Sequence, residues 1–453
     1  MNVKEEEYFH NQQILPSKIH SIHSHQRLIH IYIYIKKRTI TYIYNNKYKN
    51  MKIRTITLFV SFKKYNEQQL IAGCEFLNQQ QKFFTDNTNY EVQTTRLVFN
   101  NPEEWLVDDS DEIKTDILTS LNELLDKYNI GFCSLGRLPT RLSHLGPQIV
   151  FSGNKFNCSV DIQRADVTGA LNVAKACEEI ASKTEGGLGN FRFCASLNFA
   201  NDSFCPFFPG SFAPSSSSSS SDDDDSNNNK MYFAIGLENG IDFQNACKNA
   251  KTISNLGQSI VDEFTPKLTE IQNHCLNMEQ TTNTPSSFQF IYAGIDSSLN
   301  PALGKDGSIA YGFNMLDEIT NFGESGASLA AVAEATMAVQ SDLSEKSKIK
   351  LCGYCGCMLP LCEDEGLAKS NLNARDLLTL SSTCGVGIDT LPLGLKDLDI
   401  SKLAYLYLDA CAVAIRKGRP LSVRVFPVPG CNAGDETSFD SPYLTNSKCR
   451  SVK

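Results

Sequence analysis

From Met51 onward, runs rich in β-branched and aromatic residues alternate with runs whose apolar residues recur at helical spacing. That alternation constrains the fold more than any other feature. Lys52 to Val60 reads as a strand, and Glu67 to Phe84 as a helix with Leu70, Cys74, Leu77 and Phe84 on one face behind an Asn66 cap. Gln93 to Phe99, Ile130 to Leu135, Phe191 to Phe199, Tyr232 to Leu237, Phe288 to Ile295 and Leu421 to Val428 read as further strands. Thr115 to Tyr128, Val167 to Ser182, Phe243 to Ile271, Gly326 to Val339 and Leu403 to Ile415 read as helices. Strands separated by helices need crossovers and so tend to be parallel, which makes the expected class α/β.

Two segments break the pattern. Residues 1–50 carry eight Lys/Arg against three Glu, hold no Gly, and alternate Ile with His and Tyr from Ile29 to Ile35. They are expected to be a disordered extension. Between Ser211 and Lys230, seven consecutive serines, four aspartates and three asparagines cannot bury enough apolar area to offset chain entropy. Because strand-like segments flank this run on both sides, residues 211–230 are expected to be a loop insertion within one domain spanning 51–453.

Composition excludes several functions. The net charge of -9, with no basic block in the main body, argues against nucleic acid as a partner. No apolar run approaches the roughly 20 residues of a membrane span. Sixteen cysteines without a secretory signal read as reduced cytoplasmic thiols. Of seven histidines, only His144 and His274 lie beyond residue 30, so a histidine-rich metal centre or a Ser-His-Asp site has few possible members.

Polar chemistry gathers in the second half, near predicted strand ends. Gly294-Ile-Asp-Ser-Ser-Leu supplies Asp296, Ser297 and Ser298. Phe322-Gly-Glu-Ser-Gly opens a helix with Gly323, Ser325 and Gly326, where exposed N–H groups could hold an anion or Ser325 could simply cap the helix. Cys352, Cys355, Cys357 and Cys362 begin with a Cys-x-x-Cys but lack a second such pair, so packing competes with metal or redox chemistry. Glu363 and Asp364 follow directly. In Ser381-Ser-Thr-Cys-Gly-Val-Gly-Ile-Asp-Thr, Gly385 and Gly387 permit a tight backbone beside Cys384, with Asp389 and Thr390 close behind. A buried, inert Cys384 explains the same residues.

These segments, together with Gly353-Tyr-Cys-Gly-Cys-Met-Leu-Pro-Leu-Cys-Glu-Asp and Val428-Pro-Gly-Cys-Asn-Ala-Gly-Asp, resemble the uncharacterised family called domain of unknown function 711. The resemblance runs from about Met51 to the C-terminus. It implies a pyruvate formate-lyase-like fold: a ten-stranded α/β barrel of two five-stranded halves, related to the glycyl radical enzymes, with a loop entering the barrel. In the family pattern Cys355 and Cys384 belong, whereas Cys352, Cys357 and Cys362 stand where other residues are usual. A glycyl-radical loop of Arg-Val-x-Gly-Tyr type is not matched, since Arg424-Val-Phe-Pro-Val-Pro-Gly430 displaces the glycine and lacks the tyrosine.

Two functions follow as expectations. In the first, an enzyme acts on a small anionic metabolite without radical, metal or cofactor. Cys355, Cys384, Asp296 and Asp389 line one cavity as catalytic groups, while Ser297, Ser298, Gly323, Ser325, Gly326, Glu363, Asp364, Gly385, Gly387 and Thr390 bind substrate. Arg375, Arg416 or Arg424 would supply positive charge. In the second, a non-catalytic metabolite-binding or scaffold protein retains the same fold. A homodimer is compatible with either.

Overall fold

A computed structural model describes residues 51–214, 229–282 and 288–452. The expected extension at 1–50 and the core of the insertion at 215–228 lie outside the described residues. Nine strands form one sheet: β1 (Lys52–Val60), β2 (Val92–Phe99), β3 (Phe132–Pro139), β4 (Phe156–Ile162), β5 (Phe193–Leu197), β6 (Lys230–Glu238), β7 (Gln289–Asp296), β8 (Gly387–Gly394) and β9 (Leu421–Val428). Their order is β7-β6-β1-β2-β3-β4-β5-β9-β8. β1 to β5 are mutually parallel, as are β6 with β7 and β8 with β9. The two groups meet antiparallel, β1 against β6 and β5 against β9. Residues before 215 and after 228 therefore share one sheet.

Helices provide the crossovers: α1 (Glu67–Asn87), α2 (Thr115–Lys127), α3 (Leu145–Ser152), α4 (Val167–Lys183), α5 (Gly240–Ala250), α6 (Ile253–Thr282), α7 (Ser328–Met337), α8 (Ala374–Cys384) and α9 (Ile400–Lys417). Asn66 caps α1 as expected, accepting from the Gln69 N–H at 3.2 Å. No helix among the described residues is long and apolar enough to cross a membrane.

The strands alternate in a way that positions the site. Ile56, Leu58 and Val60 of β1, Leu97 and Phe99 of β2, Cys133 and Leu135 of β3, and Val423 and Val425 of β9 belong to the large apolar core shared with the helices. On the other face, Arg96, Asn157, Glu238, Ser422 and Arg424 border a common cavity, joined by Arg54 where β1 breaks alternation between Ile53 and Thr55. Part of the β5–β6 connection runs across this inner face. Thr57 Oγ1 donates to the Pro206 carbonyl at 3.3 Å, Ser134 Oγ to that of Ser211 at 3.0 Å, and the Ala213 N–H to that of Phe99 at 3.0 Å.

The expected ten-stranded closed barrel is not what the regular ladder forms, because it stops at β7 and β8. Residues 350–361 run between these two strands. The Ile295 N–H donates to the Lys350 carbonyl (2.8 Å), the Cys352 N–H to that of Ile295 (3.0 Å), and the Leu361 N–H to that of Asp389 (3.3 Å). The segment is not a regular strand because Gly353 and Cys355 turn left-handed within it, at φ 77° and 47°. Other expectations shift for local reasons. The helical region from Phe243 splits into α5 and α6 at Lys251, whose φ is 63°. α7 begins at Ser328 rather than Gly326, because Ala327 is left-handed and the Gly323 N–H turns back onto Ser328 Oγ. β4, α3, α8 and β8 were not expected; the segment read as a thiol loop is the end of α8 and the start of β8.

Candidate functional site

A cavity of about 430 Å³ opens on the inner face of the sheet, within the range of small-molecule sites. β1 contributes Lys52 and Arg54, β2 contributes Arg96, β3 Phe132, β4 Asn157, β6 Glu238, β8 Asp389, and β9 Ser422 and Arg424. The inner loop adds Phe207 and Phe208, the segment after β7 adds Asn300, the segment before β8 adds Tyr354 and Glu363, and the C-terminal tail adds Tyr443. Aromatic rings thus surround a small number of charges.

Those charges are distributed unevenly. Arg424 holds two carboxylates: its Nε donates to Asp389 Oδ1 at 2.6 Å, and one terminal nitrogen donates to Asp389 Oδ2 at 3.1 Å and Glu363 Oε1 at 2.6 Å. The pairing raises the Arg424 pKa although burial works against it. Burial pushes the Glu363 carboxyl above its ordinary range; Arg424 pulls it back, and the Asp389 charge adds to the rise. Glu363 is partly buried, and among the described residues no hydrogen bond reaches its Oε2. Across the cavity, Glu238 is shared by Arg54 at 3.1 Å and Lys52 at 3.5 Å.

Arg96 is different. It is only 7% exposed, and its side chain makes one hydrogen bond, from Nε to Thr94 Oγ1 at 3.0 Å. Its guanidinium lies between Phe132 and Phe208, 5.5 and 5.0 Å from the ring centroids. Among the described residues no carboxylate pairs with it. Burial, and then the neighbouring Arg54 charge, bring its pKa down to about 9.

The residues selected from sequence divide into groups. Asp389 and Glu363 border the cavity; Cys355, Cys384 and Asp296 are not among its lining residues. The four expected catalytic groups therefore do not line one cavity. Asp296 is fully buried and accepts four hydrogen bonds: from the Ser298 N–H (3.0 Å), Ser298 Oγ (2.6 Å), the Cys355 N–H (3.0 Å) and the Tyr354 N–H (2.9 Å). Gly353 turns at φ 77° against this carboxylate, where any Cβ would collide with Oδ2. Burial raises the Asp296 pKa and these hydrogen bonds oppose it. The Cys355 thiol donates to the Cys352 carbonyl at 3.1 Å, and burial followed by the Asp296 charge pushes its pKa up to about 12. Cys384 ends α8, where its sulfur accepts the Gly387 N–H at 3.4 Å.

The remaining candidates have local partners. Ser297 Oγ donates to the Val339 carbonyl (2.6 Å), and Ser298 Oγ accepts the Gly356 N–H (3.0 Å). Asp364 caps a short turn, accepting from the Gly366 and Leu367 N–H groups at 2.9 and 3.0 Å and from Ser308 Oγ at 2.5 Å. Thr390 Oγ1 accepts the Cys362 N–H at 3.0 Å. Gly385 ends α8 in the left-handed region, and Gly387, at φ 114°, lies where a Cβ would strike the Ser422 carbonyl. Gly323, Ser325 and Gly326 form the turn before α7. Ser325 does not cap that helix, and none of the three lines the cavity. The clustered thiols also disperse, with Cys352, Cys357 and Cys362 each against a separate apolar cluster. Among the described residues no three His, Cys, Asp or Glu side chains converge as metal ligands.

Of the arginines considered from sequence, Arg424 reaches the cavity, whereas Arg375 pairs with Asp409 on the surface at 2.8 Å and Arg416 lies exposed on α9. Sequence reasoning missed Lys52, Arg54, Arg96 and Glu238. A signal existed in Thr94-Thr-Arg-Leu-Val-Phe, where a charge interrupts a strand that otherwise reads as buried.

The family model described as Uncharacterised ACR (DUF711) matches residues 46–441. A UPF0210 protein of Clostridium botulinum is 27% identical over 113 residues, 23% of this chain and 25% of that protein. A UPF0210 protein of Lactobacillus helveticus is 26% identical over 177 residues, 35% of this chain and 37% of that protein. The matched stretches thus span about a quarter to a third of these relatives.

Proposed function

The chain belongs to the uncharacterised DUF711 family, and from that premise we propose that it is an enzyme performing proton transfer on a small anionic metabolite held in the inner cavity. The observation that carries this reading is Glu363: a partly buried carboxylate bordering the cavity, held through Oε1 by Arg424, with no hydrogen bond to Oε2 among the described residues. A carboxyl whose pKa burial raises above its ordinary range holds its proton more readily than a free carboxylate, a direction that suits a general acid or base. Asp389 and Arg424 position it. Cys355, Cys384 and Asp296 have no part in the chemistry, and no radical is invoked.

The fold reading belongs here too. Residues 350–361 serve as an irregular tenth strand that closes the sheet into a pyruvate formate-lyase-like barrel, with the cavity as its interior. Their backbone hydrogen bonds to β7 and β8 support this. The sixteen free cysteines fit a reducing, cytoplasmic setting.

To test the reading, the protein and Glu363→Gln are incubated with a metabolite extract and followed by mass spectrometry. Wild type should deplete an anionic metabolite that the variant binds but leaves unchanged. If both bind it and neither depletes it, the protein is a metabolite-binding module, a reading favoured by the ready-made ion triad on Arg424.

A further inference from the structure

Around one cavity, one arginine holds two carboxylates while another holds none. A buried guanidinium without an ion-pair partner costs desolvation free energy that one hydrogen bond and two flanking rings return only in part. Its immediate surroundings instead restrict how an anion could approach. Phe132 and Phe208 flank the guanidinium, and Nε is engaged by Thr94, so the terminal nitrogens are left for a partner. An anion arriving at that edge meets parallel N–H donors in one plane, the geometry that fits a carboxylate.

The charge count narrows the ligand further. Lys52 and Arg54 are committed to Glu238, and Arg424 to Glu363 and Asp389, leaving a single guanidinium. A phosphate dianion calls for more positive charge or a nest of backbone N–H groups. A monocarboxylate needs one guanidinium. The rest of the lining is rich in rings, with Phe191, Phe207, Tyr354 and Tyr443 joining the two on Arg96. Rings favour a flat partner that stacks or meets them edge to face.

We propose that Arg96 is the carboxylate-binding residue of this cavity, taking a small monocarboxylic acid whose flat, unsaturated body lies among the surrounding rings. This rests on the reading of the cavity as the functional site and names its substrate class. The bound acid would place its far end toward Glu363, so Arg96 anchors and Glu363 exchanges the proton.

The test uses the full chain with benzoate, its uncharged analogue benzamide, and inorganic phosphate, read by thermal shift and calorimetry. Benzoate should bind and raise the melting temperature, whereas benzamide and phosphate at equal concentration should not. Arg96→Gln should weaken benzoate at least about tenfold, and Arg96→Lys, which keeps the charge but loses the fork, should fall between. Circular dichroism and the melting temperature without probe establish that both variants are folded. Glu363→Gln should still bind benzoate, so loss of proton transfer is distinguishable from loss of the anchor. No benzoate binding, binding that benzamide or phosphate matches, or benzoate affinity unchanged in folded Arg96→Gln would each overturn the assignment.

Discussion

Asp296 and Arg96 are both buried charges on strands of one sheet, yet Asp296 carries four hydrogen bonds and Arg96 carries one. Around Asp296, the glycine-rich turns of residues 353–356 wrap the carboxylate, which is not among the residues lining the cavity. Around Arg96, the rings approach but no counter-charge does. Satisfied polar groups fix a backbone; an unsatisfied one beside a cavity invites a ligand. In the reading proposed here, the first region holds the fold together and the second does the work.

Stability measurements can break this contrast. The largest loss is expected for Asp296→Ala, which strips several buried donors of their acceptor at about 1–3 kcal/mol each. Chemical denaturation should show a drop of about 4 kcal/mol; a drop below about 1 kcal/mol would make the Asp296 turns a poor candidate for a structural centre.

Next comes Arg424→Gln, which leaves Glu363 and Asp389 facing each other and should cost about 3 kcal/mol at neutral pH. Its pH dependence sharpens the comparison. Glu363 is already raised above its ordinary value of 4.5 by burial, and losing Arg424 raises it further. The folded variant then binds more protons than the unfolded chain above pH 4.5, so its stability must rise as pH falls through the folded value toward 4.5. Denaturation curves at several pH values should show a larger recovery for Arg424→Gln than for Asp296→Ala, which keeps the Arg424 pairing that holds the Glu363 rise in check.

Cys355→Ser should cost about 1 kcal/mol, since it replaces one buried thiol donor with a hydroxyl. Ligand binding should be unaffected, and native Cys355 should resist alkylation at neutral pH because its pKa is near 12. Rapid alkylation would return this thiol to the list of reactive groups. The smallest change is expected for Arg96→Gln without ligand, within about 0.5 kcal/mol or a slight gain, because an unpaired buried charge is removed.

The sequence carried the strand-helix alternation well because its cause is local: β1 and β9 fall at the residues where periodicity sets them. β8 was hidden because Gly385 and Gly387, read as a loop beside a reactive thiol, instead end α8 and begin the strand. Residues 350–361 are irregular because they turn left-handed at Gly353 and Cys355, where the Asp296 carboxylate accepts the Tyr354 and Cys355 N–H groups. For the site, motif density pointed to Asp296, Cys355 and Cys384, since tight turns demand glycines and leave conspicuous motifs. Asp389, Glu363 and Arg424 were legible because they lie in or near those motifs. Arg96 left one signal, a charge inside a strand that reads as buried, but that it and Arg54 face a cavity is a consequence of sheet register, which sequence alone does not fix.

The claim that the ring-lined cavity, rather than the thiol-bearing turns, is the functional site is tested most directly by a crystal structure with para-bromobenzoate, located by the anomalous signal of its bromine. The account predicts one bromine peak among Phe132, Phe208 and Tyr443, with the carboxylate in the plane of the Arg96 guanidinium. A peak beside Cys352 or Cys355 with the cavity empty, or a ligand in the cavity whose carboxylate avoids Arg96, would contradict it.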